Sequence, residues 1–192
     1  MSAVLRPITL AEYEARERTA LTKSEYYRGE MFAMAGGSPE HSLVATNFTR
    51  EAGNQLKGKP CVPYNSDLRI KVEASGLYTY PDASIVCGPL QFAPEVAGTV
   101  MNPSVIVEVL SESTESYDRG KKSFHYRRLE SLRELILISP SEPLVEMYIR
   151  QADEKWSFIE YRAITDTLEI ESVGVAIPLS ELYRNVVFTP VA

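Results

Sequence analysis

The run Pro103-Ser104-Val105-Ile106-Val107-Glu108-Val109-Leu110 constrains the fold most. Its apolar residues occupy both alternating sets of positions, so it reads as a central strand covered on both faces. Glu108 interrupts it. A carboxylate there is costly unless it is paired, protonated or bound to a metal. The blander reading is a strand-end glutamate leaving the sheet edge or meeting an arginine. The chain has 192 residues, the length of one domain. It can bury roughly two-thirds of its unfolded surface, so it needs no disulfide or structural metal.

The flanking segments set the fold class. Thr9-Leu10-Ala11-Glu12 fits a capping box opening a helix over 10–18. Residues 24–34 read as a hairpin turned at Gly29. Ser38 and Pro39 suit the N-cap and first position of a helix reaching Leu56, with Ala45, Phe48 and Ala52 as its apolar stripe. Strands are expected over 62–72, 78–87, 103–110, 134–139, 144–150, 156–162 and 168–173, with a helix over 116–132. This order predicts an α/β (α+β) domain, residues 1–192, with a central mixed sheet flanked by helices.

Asp82 follows Pro81 at the start of a strand ending in Ile85-Val86-Cys87. Alone it reads as a turn residue. With Glu108 on another strand it suggests two converging carboxylates, which suit a hard ion such as Mg²⁺. Lys122 shares a helical face with Tyr126 and Leu129, so it points toward the sheet. It reads either as a desolvated lysine acting on a water or a developing charge, or as a lysine whose stem merely covers apolar surface. Residues 119–128 hold five Lys/Arg and no acid, interleaved with aromatics. That is either a phosphate-tracking stripe or a solvated face. Glu30 reads as a hairpin carboxylate, exposed unless recruited. His41 reads as a cap or core residue, or as a catalytic aid. Asp67 and Arg69 read as supporting charges.

Several classes fall away. No Gly-rich phosphate loop is present. Two histidines without metal-binding spacing do not make a zinc hydrolase. Cys61 and Cys87 lie in apolar strand-like runs, which sets aside a disulfide scaffold. No apolar run is long enough to span a membrane, and the first residues lack a secretory apolar region, so a cytoplasmic setting is expected.

The ordered set of motifs resembles the Uma-type restriction-endonuclease family of the PD-(D/E)XK nuclease-like superfamily. It comprises Gly29-Glu30 after tyrosines, Ser38-Pro39-Glu40-His41, Pro81-Asp82, Pro103 through Ser111, and Asp118-Arg119-Gly120-Lys121-Lys122 with Tyr126. The resemblance spans about residues 8–185. It implies a restriction-endonuclease-like fold, with Asp82 and Glu108 as metal-binding acids and Glu30 as a possible further acid. The superfamily lysine lies two residues after the second acid, where this chain has Leu110; the resemblance implies its migration to Lys122.

The expected activity is Mg²⁺- or Mn²⁺-dependent hydrolysis of DNA. In it Asp82, Glu108 and the Val109 carbonyl hold the metal, Lys122 orients water or stabilises charge, and His41 or Glu30 assists. A non-catalytic module binding DNA or protein is the alternative, and a carboxylate-pair glycosidase fits the apolar setting of Glu108 poorly. A homo-oligomer, such as a dimer, is expected because double-strand cutting needs two sites. Net charge is −6, which argues against indiscriminate coating of nucleic acid. Through residue 128 there are 15 basic and 15 acidic residues; beyond it there are 5 and 11. The acidic excess therefore lies after the last motif.

Overall fold

The computed structural model describes residues 6–34 and 36–188. Helix α1 (Leu10–Glu17) starts on the expected capping box: the Glu12 N–H donates to Thr9 Oγ1, and the Thr9 N–H to the Glu12 carboxylate. Strands β1 (Ser24–Tyr27) and β2 (Glu30–Ala33) form the hairpin. Helix α2 (Pro39–Leu56) is capped by Ser38 Oγ, which accepts from the His41 N–H.

Two expected strands are each broken in two. Residues 62–72 become β3 (Cys61–Asn65) and β4 (Arg69–Val72), parted by an Asn65–Asp67 turn. Residues 78–87 become β5 (Leu77–Thr79) and β6 (Ala83–Cys87). Pro81 supplies no ladder N–H, so the chain changes sheet there. Next come β7 (Thr99–Val100) and β8 (Val105–Val109), the second of which is buried throughout.

The expected helix over 116–132 ends early. It is α3 (Glu115–Tyr117), a π-helical turn over Asp118–Lys122, and α4 (Ser123–Tyr126). Ser123 Oγ donates to the Asp118 carbonyl, a local bond that competes with the regular helical ladder. The chain continues through β9 (Glu134–Ile138), β10 (Val145–Arg150), β11 (Trp156–Tyr161), β12 (Thr167–Ile170), β13 (Val175–Pro178) and α5 (Leu179–Leu182). β7, β13 and α5 lie outside the elements read from the sequence.

β11-β10-β9-β8-β6-β3 form a six-stranded sheet, with β8 and β9 parallel and the other pairs antiparallel. β2-β1-β5-β4-β7 form a second mixed sheet. Val105, Val107 and Val109 pack toward Val44, Phe48 and Ala52 of α2. Ile106 and Leu110 pack on the opposite face with Tyr126, Leu129, Leu132 and Ile70, Val72 and Leu77 of the second sheet. Glu108 takes a position on this second face, so its carboxylate enters the space between the sheets.

Cys61 and Cys87 face each other across β3 and β6, with Cα atoms 3.9 Å apart, and form a disulfide. Two cysteines in apolar strand-like runs argue against a disulfide scaffold or a Cys-rich zinc module, and the cross-link that forms follows from the β3–β6 register. The two large apolar clusters still carry the fold.

The hairpin turn depends on Gly29. Its φ is +89°, and a Cβ there would lie 2.6 Å from Pro7 Cβ. Gly29→Ala is expected to cost about 2 kcal/mol, read as a lower urea midpoint at unchanged slope.

Candidate active site

β8 carries Glu108 into the inter-sheet space at its C-terminal end, next to the break that precedes β6. The Val109 N–H donates to Asp82 Oδ2 at 2.8 Å. This bond ties the Pro81-Asp82 bend to the end of β8. His41, in the first turn of α2, brings Nε2 to 3.2 Å from the same Asp82 oxygen. Gly37 makes room for it: a Cβ there would lie 2.5 Å from His41 Nδ1.

The π turn delivers the cation. Lys122 Nζ lies 2.9 Å from Glu108 Oε1, 3.0 Å from Glu25 Oε1 and 3.6 Å from Asp118 Oδ1. The Lys122 and Glu108 side chains are only 6% and 4% exposed. Tyr126 donates its hydroxyl to Glu108 Oε1 at 2.6 Å. Thr79 and Tyr117 donate to the two Glu25 oxygens, at 2.5 and 3.1 Å. An inserted residue turns Asp118, Lys122, Ser123 and Tyr126 all inward, and π turns recur at functional sites.

Three carboxylates (Glu25, Glu108, Asp118) thus surround one ammonium, and a fourth, Asp82, lies close enough to Glu108 to act on its charge. Burial raises the Glu108 pKa to about 8; Lys122 opposes this, while repulsion from Asp82 and Asp118 adds to it. Burial, with Asp82 and Glu25 nearby, also raises Asp118 against the pull of Lys122. Burial works against the charge on Lys122, but Glu108, Tyr126, Glu25 and Asp118 together hold its pKa well above the ordinary value. Lys122 is therefore an ammonium at neutral pH. For His41, burial is outweighed by the Asp82 carboxylate and the Val109 carbonyl, and its pKa rises.

Among the described residues, no hydrogen bond reaches Asp82 Oδ1 or Glu108 Oε2. No three His, Cys, Asp or Glu groups there form a ready-made cage. The open donors are both carboxylate oxygens. That chemistry fits Mg²⁺, which keeps several waters and takes one or two carboxylates.

The structure brings Asp82, Glu108, Lys122 and His41 together. Glu30 is exposed at the hairpin end opposite Tyr27, and among the described residues its side chain has no ion-pair or hydrogen-bond partner. The acid contributed by the N-terminal hairpin is Glu25. Asp67 binds Lys23, and Arg69 donates to Thr99 and the Ala97 carbonyl, both away from the cluster.

A family model described as "Uma2: Putative restriction endonuclease" matches residues 10–180. The chain belongs to the Uma2 family. Two Synechocystis sp. (strain ATCC 27184 / PCC 6803 / Kazusa) proteins are similar to it. The uncharacterized protein slr1290 is 34% identical over 96% of this chain and 94% of its own length. The uncharacterized protein sll1609 is 33% identical over 82% and 89%. A crystal structure titled a putative nuclease belonging to DUF820, from Anabaena variabilis ATCC 29413, superposes with a TM-score of 0.76 at 19% identity. It covers 94% of this chain and 100% of that one. The shared fold is the restriction-endonuclease-like one, as expected. Among the described residues, no helix is long and apolar enough to cross a membrane.

Sequence reasoning missed three members of this Uma2 cluster. Asp118 lies four residues before Lys122, a spacing that puts both on one helical face. Tyr126 belongs to the inward stripe and to the last motif, but neither gives it the hydrogen bond to Glu108. Glu25 alternates with Ser24 and Tyr26 on β1, a signal visible only once the hairpin's inner face is known.

Proposed function

We propose that this Uma2 protein is a Mg²⁺-dependent endonuclease acting on DNA phosphodiester bonds. The observation that carries the reading is the convergence of Asp82, Glu108 and Lys122 on one inter-sheet site with open carboxylate oxygens. Asp82 Oδ1 and Glu108 Oε2 would hold the ion. A divalent ion there supplies Lewis acidity to a phosphate oxygen and lowers the pKa of a water.

The chain's own groups do the rest. Lys122, fixed by two carboxylates and fully charged, is a donor to the charge that builds on the phosphate; it is not a base. Tyr126 and Glu25 lock its position. His41 and the Val109 N–H both hold Asp82 Oδ2, which leaves Oδ1 free of hydrogen bonds among the described residues; His41 is a positioning residue. Glu30 has no role in this scheme.

Purified protein is expected to nick supercoiled plasmid with Mg²⁺ or Mn²⁺, and to stop in EDTA. Asp82→Ala should cut at least 100-fold more slowly. Equal nicking by that variant sinks the reading. Absence of divalent-ion binding by calorimetry would favour a non-catalytic module.

A further inference from the structure

Beside the cluster lies a surface that the cleavage scheme does not use. Tyr27 follows Glu25 by two residues on the same face of β1, roughly 7 Å along the strand. Its ring packs against His125 of α4, centroids 4.9 Å apart. His125 meets Phe124 edge-on at 5.7 Å. Arg28 lies over the Tyr27 ring at 5.2 Å and Arg128 over the Phe124 ring at 5.8 Å. Two segments about 100 residues apart in the sequence thus build one row: cation, aromatic, imidazole, aromatic, cation.

The row is open to an anion. Among the described residues, Arg28, Lys121 and Arg128 have no carboxylate within 4.0 Å, whereas most cations of this acidic chain do. All three are exposed. They crowd one spot: beyond the effect of burial, Arg128, Arg28 and Lys121 push the His125 pKa down against the opposing effect of Glu25, so the imidazole stays neutral. Phe124 is 55% exposed, which leaves part of its ring free to stack on a partner.

We propose that this face binds a single-stranded stretch of nucleic acid beside the scissile phosphodiester, with a base stacked on Phe124 and phosphates on Arg28, Lys121 and Arg128. The choice of nucleic acid rests on the phosphodiesterase reading; the choice of single strand rests on Phe124. A flat exposed ring among cations fits an unstacked base, whose face a duplex would hide. The substrate class is then DNA with an unpaired segment next to the cut.

The test is fluorescence anisotropy in EDTA with a labelled 20-mer of thymidine, which makes binding independent of cleavage. Phe124→Ala and Phe124→Leu are each expected to weaken binding roughly tenfold, and Phe124→Trp to keep it. Arg28→Asn with Arg128→Gln should lower the salt slope of log K by about 1.4, for two lost phosphate contacts on a single strand. Asparagine is chosen because Arg28 has φ +50°, which it tolerates. A 20-base-pair duplex should bind more weakly and ignore Phe124→Ala. Unchanged 20-mer binding in the variants overturns the proposal, as does a duplex that binds equally well and is equally sensitive to Phe124. Asp82-dependent nicking alongside such a failure would leave the nuclease reading standing. Intact 20-mer binding without any nicking would sink that reading and leave this surface in place.

Discussion

Lys122→Met is expected to abolish strand cleavage and to lower stability by about 3–5 kcal/mol, the cost of removing one partner from a buried ion pair. Methionine matches the aliphatic stem in volume, so packing against Tyr126 is largely kept. The lost charge leaves Glu25, Glu108 and Asp118 facing one another with little solvent between them. The cost is that of buried acids left without their counter-charge, which must stay desolvated or take up a proton. Adding Glu25→Gln and Glu108→Gln should therefore restore most of the stability and none of the cleavage. Urea denaturation and plasmid nicking on the same preparations separate the two effects. If Lys122→Met alone keeps wild-type stability, the lysine is not the counter-charge the geometry makes it. Lys122→Arg is expected to behave as a loss: a planar guanidinium cannot reproduce an ammonium shared among three acceptors.

The legibility of this site varied with how local its signals were. Glu108 stood out because one charged residue broke a run buried on both faces, and the cost of that burial needs no tertiary knowledge. Lys122 was legible from helical periodicity, and its inward direction holds although the helix is shorter than expected and carries a π turn. The π turn left no periodic signal; it rests on Asp118 and Ser123 bonding locally. The split at Tyr80–Asp82 hid inside a stretch with strand character at both ends. The proline there suits a strand start as well as a break, and the structure breaks the stretch around it. Glu25 was illegible because its importance depends on which face of a four-residue strand turns toward Lys122. Glu30, the more conspicuous acid beside the glycine turn, sits where the hairpin opens to solvent. The disulfide depended on the β3–β6 register, which pairs residues 26 apart.

Asp82→Asn is expected to keep the fold and lose both metal stabilisation and cleavage. Asn Oδ1 can take the place of Oδ2 and accept from the Val109 N–H, so the tie between the Pro81-Asp82 bend and β8 survives. The amide nitrogen then occupies the position of the unbonded oxygen. It presents two N–H donors where the carboxylate offered a lone pair and a negative charge, and a cation finds no ligand there. In the wild-type protein, Mn²⁺ at one hundred times its dissociation constant should add about 2.7 kcal/mol of stability, visible as a raised unfolding temperature. In Asp82→Asn that increment should vanish, and cleavage should fall roughly 10²–10³-fold. Glu30→Gln, at the open hairpin end, should leave both readouts unchanged. A metal-dependent rise in unfolding temperature that survives Asp82→Asn would place the ion elsewhere, with the carboxylate of Asp118 as the next oxygen donor in the cluster.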